Sequence, residues 1–109
     1  MKTRTLSLLA VTAVLAAAVS LQAAPAASKT LDNLQAGYNG ESNAHARYLA
    51  FAQKADEEGY AGAAALFRAA ARAEEIHASN HAAVITQMGA VPAKDVKAPE
   101  VKSTRENLE

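Results

Sequence analysis

The sequence predicts an all-α protein whose main structured part is an antiparallel helical hairpin. About a quarter of the 109 residues are alanine, which has the highest intrinsic helix propensity. Apolar residues recur at steps of three and four through residues 31–58 and again through residues 61–88. Runs of β-branched residues are missing, and Asn39-Gly40 is the one dipeptide typical of a strand hairpin.

The first 26 residues have the pattern of a secretory signal peptide. Lys2 and Arg4 make a positive start, residues 6–21 are mostly apolar, and small residues surround a cleavage position after Ala26. The alternative is a membrane anchor, but the apolar segment is shorter than the roughly 20 residues that span a bilayer. We therefore expect export to the periplasm or the extracellular space, with no membrane attachment after cleavage.

The charge and the cysteine count exclude several classes of protein. Without its leader the chain has nine basic and eleven acidic residues, a net charge of about −2. This charge and the lack of a basic patch argue against a nucleic-acid partner. The chain has no cysteine, which excludes a lipoprotein anchor and a Cys₄ iron or zinc module within it.

The first helix is predicted over residues 31–58. Ser28 or Thr30 can cap its start, and Gly59 ends it. Gly37 and Gly40 lower its local propensity by about 1 kcal/mol each relative to alanine, unless they let a neighbouring helix approach closely. One face of the helix is built from positions at alternating steps of four and three: Leu34, Tyr38, Glu41, His45, Tyr48, Ala52 and Ala55.

The second helix is predicted over residues 61–88. Gly89 and Pro92 close it, in the order usual at a helix C-terminus. Two helices of similar length joined at one glycine form an antiparallel hairpin, here residues 28–89. The predicted core stripe of the second helix is Leu66, Phe67, Ala70, Glu74, His77, His81, Val84, Ile85 and Met88.

Glu41, Glu74 and His77 are the candidate metal ligands. Glu74 and His77 are three residues apart and therefore share a helix face. Glu41 lies 18 residues before Gly59 and His77 lies 18 after it, which predicts one height in the hairpin. Carboxylates and an imidazole on a core-facing stripe are costly unless they are compensated. A Glu-x-x-His pair inside a bundle is typical of carboxylate di-metal sites, with iron, manganese or zinc as the ion.

Four neighbours of these ligands have ordinary explanations. Glu75 points about 100° away from Glu74 and is assigned to solvent. His45 and His81, each one turn beyond a ligand, could supply a further nitrogen ligand or support the ligands, but we expect them at the edge of the core. The hydroxyl of Tyr48 either hydrogen-bonds a ligating carboxylate or belongs to a ring that simply packs.

The end of the chain predicts a linker followed by a new helix. Residues 90–102 have the composition of a linker that contributes no core. Ser103 and Glu106 form a capping box, so residues 103–109 are expected to begin a third helix.

A hairpin of this size is expected to be incomplete alone. Residues 28–89 bury little besides alanine, and each helix keeps an apolar stripe that needs a partner. Residues 30–35 resemble residues 104–109, which suggests a chain truncated at the start of a second repeat. The missing hairpin would come from that absent sequence or from a partner chain in a homo-oligomer.

Three motifs in order carry a resemblance to a known family. Residues 39–48, 55–60 and 73–78 are similar to the first half of the rubrerythrin di-iron domain, in the ferritin-like superfamily. The resemblance covers residues 30–89. It implies a hairpin that forms half of a four-helix bundle with two non-haem irons.

The resemblance also implies roles for individual residues. It places metal ligands at Glu41, Glu74 and His77, a tyrosine near the iron site at Tyr48, and the opening of the second hairpin at residues 103–109. The implied function is reduction of hydrogen peroxide in defence against oxidative stress, with electrons from an unknown donor. The second Glu and the second Glu-x-x-His of the family pattern are absent from this chain.

Two other functions remain open on the residues alone. One is a bundle that binds, oxidises or stores iron, with oxygen as oxidant and no peroxidase turnover. The other is a purely structural hairpin in which hydrogen bonds satisfy Glu41, Glu74 and His77.

Overall fold

A computed structural model describes residues 25–109, which form two long helices, an extended segment and one short helix. Helix α1 spans Pro25–Glu57, α2 spans Ala61–Gln87 and α3 spans Thr104–Asn107. The two long helices pack against each other as an antiparallel hairpin, and no strand occurs in this part of the chain. The prediction of an all-α hairpin is confirmed for these residues.

The start of α1 differs from the prediction. The helix already includes Pro25, the first described residue, so Ser28 and Thr30 lie within it and do not cap it. The predicted signal peptide lies outside the described residues, except for Pro25 and Ala26. None of the helices formed by residues 25–109 has the length and apolar character that a bilayer span requires.

Both long helices end at a glycine in the left-handed conformation, as predicted. Gly59 and Gly89 each have a φ of +81°. After α1, the N–H of Tyr60 donates to the Ala55 carbonyl and that of Gly59 donates to the Asp56 carbonyl. This pair of bonds is a Schellman motif, and the same pattern follows α2 at Gly89. The turn at Gly59 sets how the two helices align.

The core of the hairpin is thin and consists mainly of small side chains. Near the turn, the rings of Phe51 and Phe67 meet edge to face, with centroids 5.3 Å apart. Alanines fill most of the remaining interface, which allows the helix axes to approach closely. The buried apolar residues are Ala52, Ala55, Ala64, Phe67, Ala71, Ala78 and Ile85.

The predicted core stripe of α2 divides into a buried part and an exposed part. Phe67 and Ile85 face α1, whereas Leu66, Val84 and Met88 are 59%, 40% and 39% exposed. These three residues are exposed because one partner helix covers a narrower sector than the stripe spans, as expected of a stripe that needs a further partner. The exposed residues share one side of α2. We call it the open face: Leu66, Ala70, Ala73, His77, Val84 and Met88.

The segment between α2 and α3 is bound along α1, and we call residues 91–102 the strap. Gln35 donates to the Val91 carbonyl through Nε2 and accepts from the Ala93 N–H through Oε1. Asn43 bonds the strap in the same two-way manner, at the Asp95 carbonyl and the Lys97 N–H. These side-chain amides therefore hydrogen-bond both the N–H and the C=O groups of the strap backbone, as a neighbouring β-strand would.

The strap lies on a different side of α1 from the candidate ligands. Asn39, midway between Gln35 and Asn43, accepts from the Asp95 N–H at 2.7 Å. The three amides repeat every four residues, which places them along one side of α1. The prediction that this segment is only a linker missed its contact with α1. The regular four-residue spacing of the amides could have indicated that contact. At its end, the predicted capping box of Ser103 and Glu106 is confirmed.

Candidate metal centre

The structure brings the three predicted ligands together across the hairpin. Glu41 projects from α1, and Glu74 and His77 project from α2. Nδ1 of His77 lies 3.5 Å from Oε2 of Glu41 and 3.5 Å from Oε2 of Glu74. One donor atom from each of the three residues lies within 4.8 Å of the other two. The equal spacing of Glu41 and His77 from the turn at Gly59 thus does place them at one height.

The site lies at the edge of the hairpin. The side chains of Glu41 and Glu74 are 27% and 22% exposed, whereas that of His77 is 55% exposed. In this hairpin His77 lies on the open face, which is the side that the expected second hairpin would cover. Its imidazole is available to a group that approaches from outside the hairpin.

The two carboxyl groups shift each other's pKa in opposite directions. A hydrogen bond with Glu41 raises the pKa of Glu74, and burial and the charge of Glu41 raise it further. The same hydrogen bond lowers the pKa of Glu41. Burial opposes this shift, and the interactions with His77 add to it.

The donor geometry and chemistry fit a divalent transition metal. Donors held about 2.1 Å from one ion at near-tetrahedral angles lie about 3.4 Å apart. The two distances from His77 Nδ1 match that spacing. Carboxylate oxygen and imidazole nitrogen suit iron, manganese and zinc. These residues supply half of the ligand set of a di-metal bundle, which takes two Glu residues and two Glu-x-x-His pairs.

His81 approaches the site through a gap left by Gly37. Its Nε2 lies 3.8 Å from Oε1 of Glu41, and its side chain is one-third exposed. A Cβ placed on Gly37 would stand 3.2 Å from that Nε2. Close approach of the neighbouring helix therefore explains the glycine at position 37. A Cβ added at Gly40 would meet nothing within 4 Å, so that explanation does not apply there. The sequence raised His81 as a neighbour but did not predict its pairing with Gly37.

His45 and Tyr48 serve the packing of the hairpin. Nδ1 of His45 lies 2.7 Å from the Ala71 carbonyl, so the imidazole donates a hydrogen bond from α1 to α2. The ring of Tyr48 stacks on Phe67 at 6.3 Å and meets Phe51 at 6.4 Å. Within residues 25–109 no hydrogen bond joins its hydroxyl to a ligating carboxylate, so the packing alternative is the one observed.

Glu75 lies away from the site, on another side of α2. It forms an exposed ion pair with Arg72, one turn earlier on the helix. This placement agrees with its assignment to solvent. The residue is therefore a matched acidic control for Glu74.

Comparison with known proteins gives the family of the chain. The family model described as rubrerythrin matches residues 32–109, which is more than half of the sequence. The chain belongs to the rubrerythrin family. Because the match continues through the strap and α3, these segments are part of the rubrerythrin pattern together with the hairpin.

The similar rubrerythrin-family proteins are longer than this chain. Nigerythrin of Nitratidesulfovibrio vulgaris is 48% identical over 63 residues, which cover 58% of this chain and 31% of that protein. Rubrerythrin-2 of Clostridium acetobutylicum is 43% identical over 58 residues, which cover 53% of this chain and 32% of that protein. The chain thus spans about a third of the length of these curated relatives. No solved structure matches the chain significantly.

Proposed function

We propose that this chain is the ligand-bearing half of an exported rubrerythrin-like di-iron protein that reduces peroxide in oxidative-stress defence. The observation that carries the proposal is the convergence of Glu41, Glu74 and His77, with both carboxylates 3.5 Å from one imidazole nitrogen. Membership in the rubrerythrin family supports iron as the metal. Export is proposed from the leader pattern of residues 1–26.

Each ligand has a distinct part in this proposal. Glu41 and His77 would hold the metal from opposite helices as terminal ligands, and Glu74 would be the carboxylate shared by a pair of ions. The two carboxylates compensate the charge of one divalent ion, and the imidazole adds a neutral donor. Bound iron would supply electrons for cleavage of the peroxide O–O bond, and a separate donor would restore them.

The proposed bundle requires a second hairpin. A four-helix di-iron site needs another Glu and another Glu-x-x-His facing the first set. The exposed apolar residues of the open face, among them Leu66 and Val84, are the surface that such a hairpin would cover.

The test is an anaerobic titration with ferrous iron followed by stoichiometric hydrogen peroxide. Iron should bind, and it should then be oxidised faster than free ferrous iron in the same buffer. Glu74→Gln should abolish the acceleration, and Glu75→Gln should retain it. Iron that is oxidised no faster than in buffer would contradict the proposal. N-terminal sequencing of the protein from a periplasmic extract tests export, with a start at Ala27 expected.

A second candidate is an iron-binding or iron-oxidising bundle without peroxidase turnover. The observation that favours it is the solvent-open position of His77, because peroxide reduction gains from a site that excludes water. The same titration separates the two candidates. Faster oxidation by oxygen than by peroxide would support the second.

A further inference from the structure

We propose that the metal centre has a fourth protein ligand, Nε2 of His81, which binds beside Glu41. The inference rests on the metal site of the proposed function. It adds to that site a donor outside the pattern of Glu and Glu-x-x-His residues that is typical of di-metal bundles. The added imidazole would also change which metal ions the site prefers.

His81 lies one turn beyond His77, on the same side of α2. Two histidines four residues apart on a helix are a recognised pair of zinc ligands. The carboxylate of Glu41 lies near both imidazoles: its Oε2 is 3.5 Å from Nδ1 of His77, and its Oε1 is 3.8 Å from Nε2 of His81. Each oxygen of this carboxylate thus has one imidazole nitrogen beside it.

The contact between His81 and Glu41 has the length expected of two metal ligands. A separation of 3.8 Å is too long for a hydrogen bond. Two donors that are each about 2.1 Å from one ion lie roughly 3.0 to 4.2 Å apart, depending on whether they are at a right angle or on opposite sides of it. Within residues 25–109 the contact with Glu41 is the polar contact of the His81 side chain, so no hydrogen bond there occupies Nε2.

Gly37 of α1 leaves the space in which the His81 imidazole lies. A Cβ on Gly37 would stand 3.2 Å from Nε2 and 3.4 Å from both Cδ2 and Cε1, so the ring rests against the backbone of α1. Glycine inside a helix is less stable than alanine, and the room that it gives to His81 offsets this loss. A ring confined beside Glu41 loses little freedom when it binds an ion.

A second imidazole should shift the metal preference of the centre. Imidazole nitrogen suits zinc, copper and iron, whereas manganese is better served by carboxylate and water oxygens. Removal of the His81 imidazole should therefore weaken zinc binding more than manganese binding.

The test is nitrogen-15 nuclear magnetic resonance of the imidazoles in the 109-residue chain, first in chelator and then with zinc. The chain has three histidines, so every ring is followed in one spectrum. Zinc should move Nε2 of His81 and one ring nitrogen of His77 to the range of coordinated imidazole. His45, whose Nδ1 lies 2.7 Å from the Ala71 carbonyl, should stay unchanged and is the internal control.

Two variants extend the test to affinity. His81→Gln removes the imidazole and should lower zinc affinity by on the order of tenfold or more, and manganese affinity by clearly less. Asn80→Gln changes the exposed neighbour of His81 on α2 and should bind both ions like the parent. Circular dichroism of the three chains in chelator should be the same, which shows that the hairpin is retained.

The outcomes separate this inference from the proposed function. Zinc that moves His77 but not Nε2 of His81 would overturn the fourth ligand and leave the metal site of the proposed function standing. Equal losses of zinc and manganese affinity in His81→Gln would make His81 a support for Glu41 and would also overturn its role as a ligand. A chain in which zinc moves none of the three histidines would overturn both proposals. Peroxide has no part in these measurements, so failure of the peroxidase in its own test would leave the fourth ligand standing.

Discussion

Gly37 of α1 lies directly against the imidazole of His81 on α2, and the contact depends on the missing side chain. A Cβ at Gly37 would stand 3.2 Å from His81 Nε2, closer than ordinary van der Waals contact. The same nitrogen lies 3.8 Å from Oε1 of Glu41. The glycine therefore allows a second imidazole to lie beside a candidate ligand.

Gly37→Ala is expected to weaken metal binding even though alanine favours the helix. The methyl group would push His81 away from Glu41, and metal affinity should fall several-fold. Gly40→Ala is the matched control, because a Cβ there meets nothing within 4 Å. It should raise helix stability by up to about 1 kcal/mol without changing metal affinity. Zinc titrations and thermal melts of both variants check this; equal metal affinities would contradict it.

His77→Ala is expected to remove the stabilisation that metal gives to the fold. An ion that binds only the folded chain, at about 100 times its dissociation constant, adds about 2.7 kcal/mol to the free energy of unfolding. The variant should lose most of this gain because one of three donors is gone. In chelator it should melt like the parent, since His77 is more than half exposed. Equal melting of parent and variant in both conditions would favour the purely structural hairpin.

Asn43→Ala is expected to loosen the strap. Asn43 holds the Asp95 carbonyl and the Lys97 N–H, so its loss leaves both strap groups to water. We expect a cost on the order of 1 kcal/mol, seen as faster hydrogen exchange at the Lys97 amide. Asn33→Ala, which alters an exposed amide of the same helix, is the control. Unchanged exchange at Lys97 would show that the strap is held by other contacts.

The docking of α3 is expected to weaken in acid because of Glu58. The nearby Thr104 hydroxyl lowers the pKa of Glu58 below its ordinary 4.5. This hydroxyl has no hydrogen-bond partner of good geometry. The Thr104 N–H, which donates to Oε2 at 2.8 Å, lowers that pKa further. A lowered carboxyl pKa stabilises the fold above the ordinary value, and this stabilisation is lost as the pH falls through the lowered pKa.

Nuclear magnetic resonance of the Thr104 amide checks this dependence. Its chemical shift should move as the pH falls through the lowered pKa, and Glu58→Gln should remove that movement. Glu106 also has a lowered pKa, caused by hydrogen bonds from Ser103, and serves as an internal comparison in the same helix. Identical titration of Thr104 in parent and variant would contradict the role of Glu58.

Local sequence patterns were sufficient to predict the helices and the convergence of the three candidate ligands. A helix has a fixed rise per residue, so the equal spacing of Glu41 and His77 from Gly59 becomes an equal height once the turn closes. The left-handed glycines and the capping box of Ser103 are also local features, and each was found where predicted. The prediction that Ser28 or Thr30 caps α1 was wrong, because both residues lie inside the helix.

By itself the sequence determined two helices, their C-terminal ends and the level at which two carboxylates and an imidazole meet. Only the tertiary structure decided which part of each stripe is buried. In that structure His77 is half exposed, the imidazole of His81 lies against Gly37, and the strap is bound to α1. The physical reason is that periodicity orders residues around one helix axis, whereas burial depends on how that axis is rotated against its neighbour. That rotation follows from the packing of Phe67, Ile85 and the interface alanines, which acts between residues far apart in the chain.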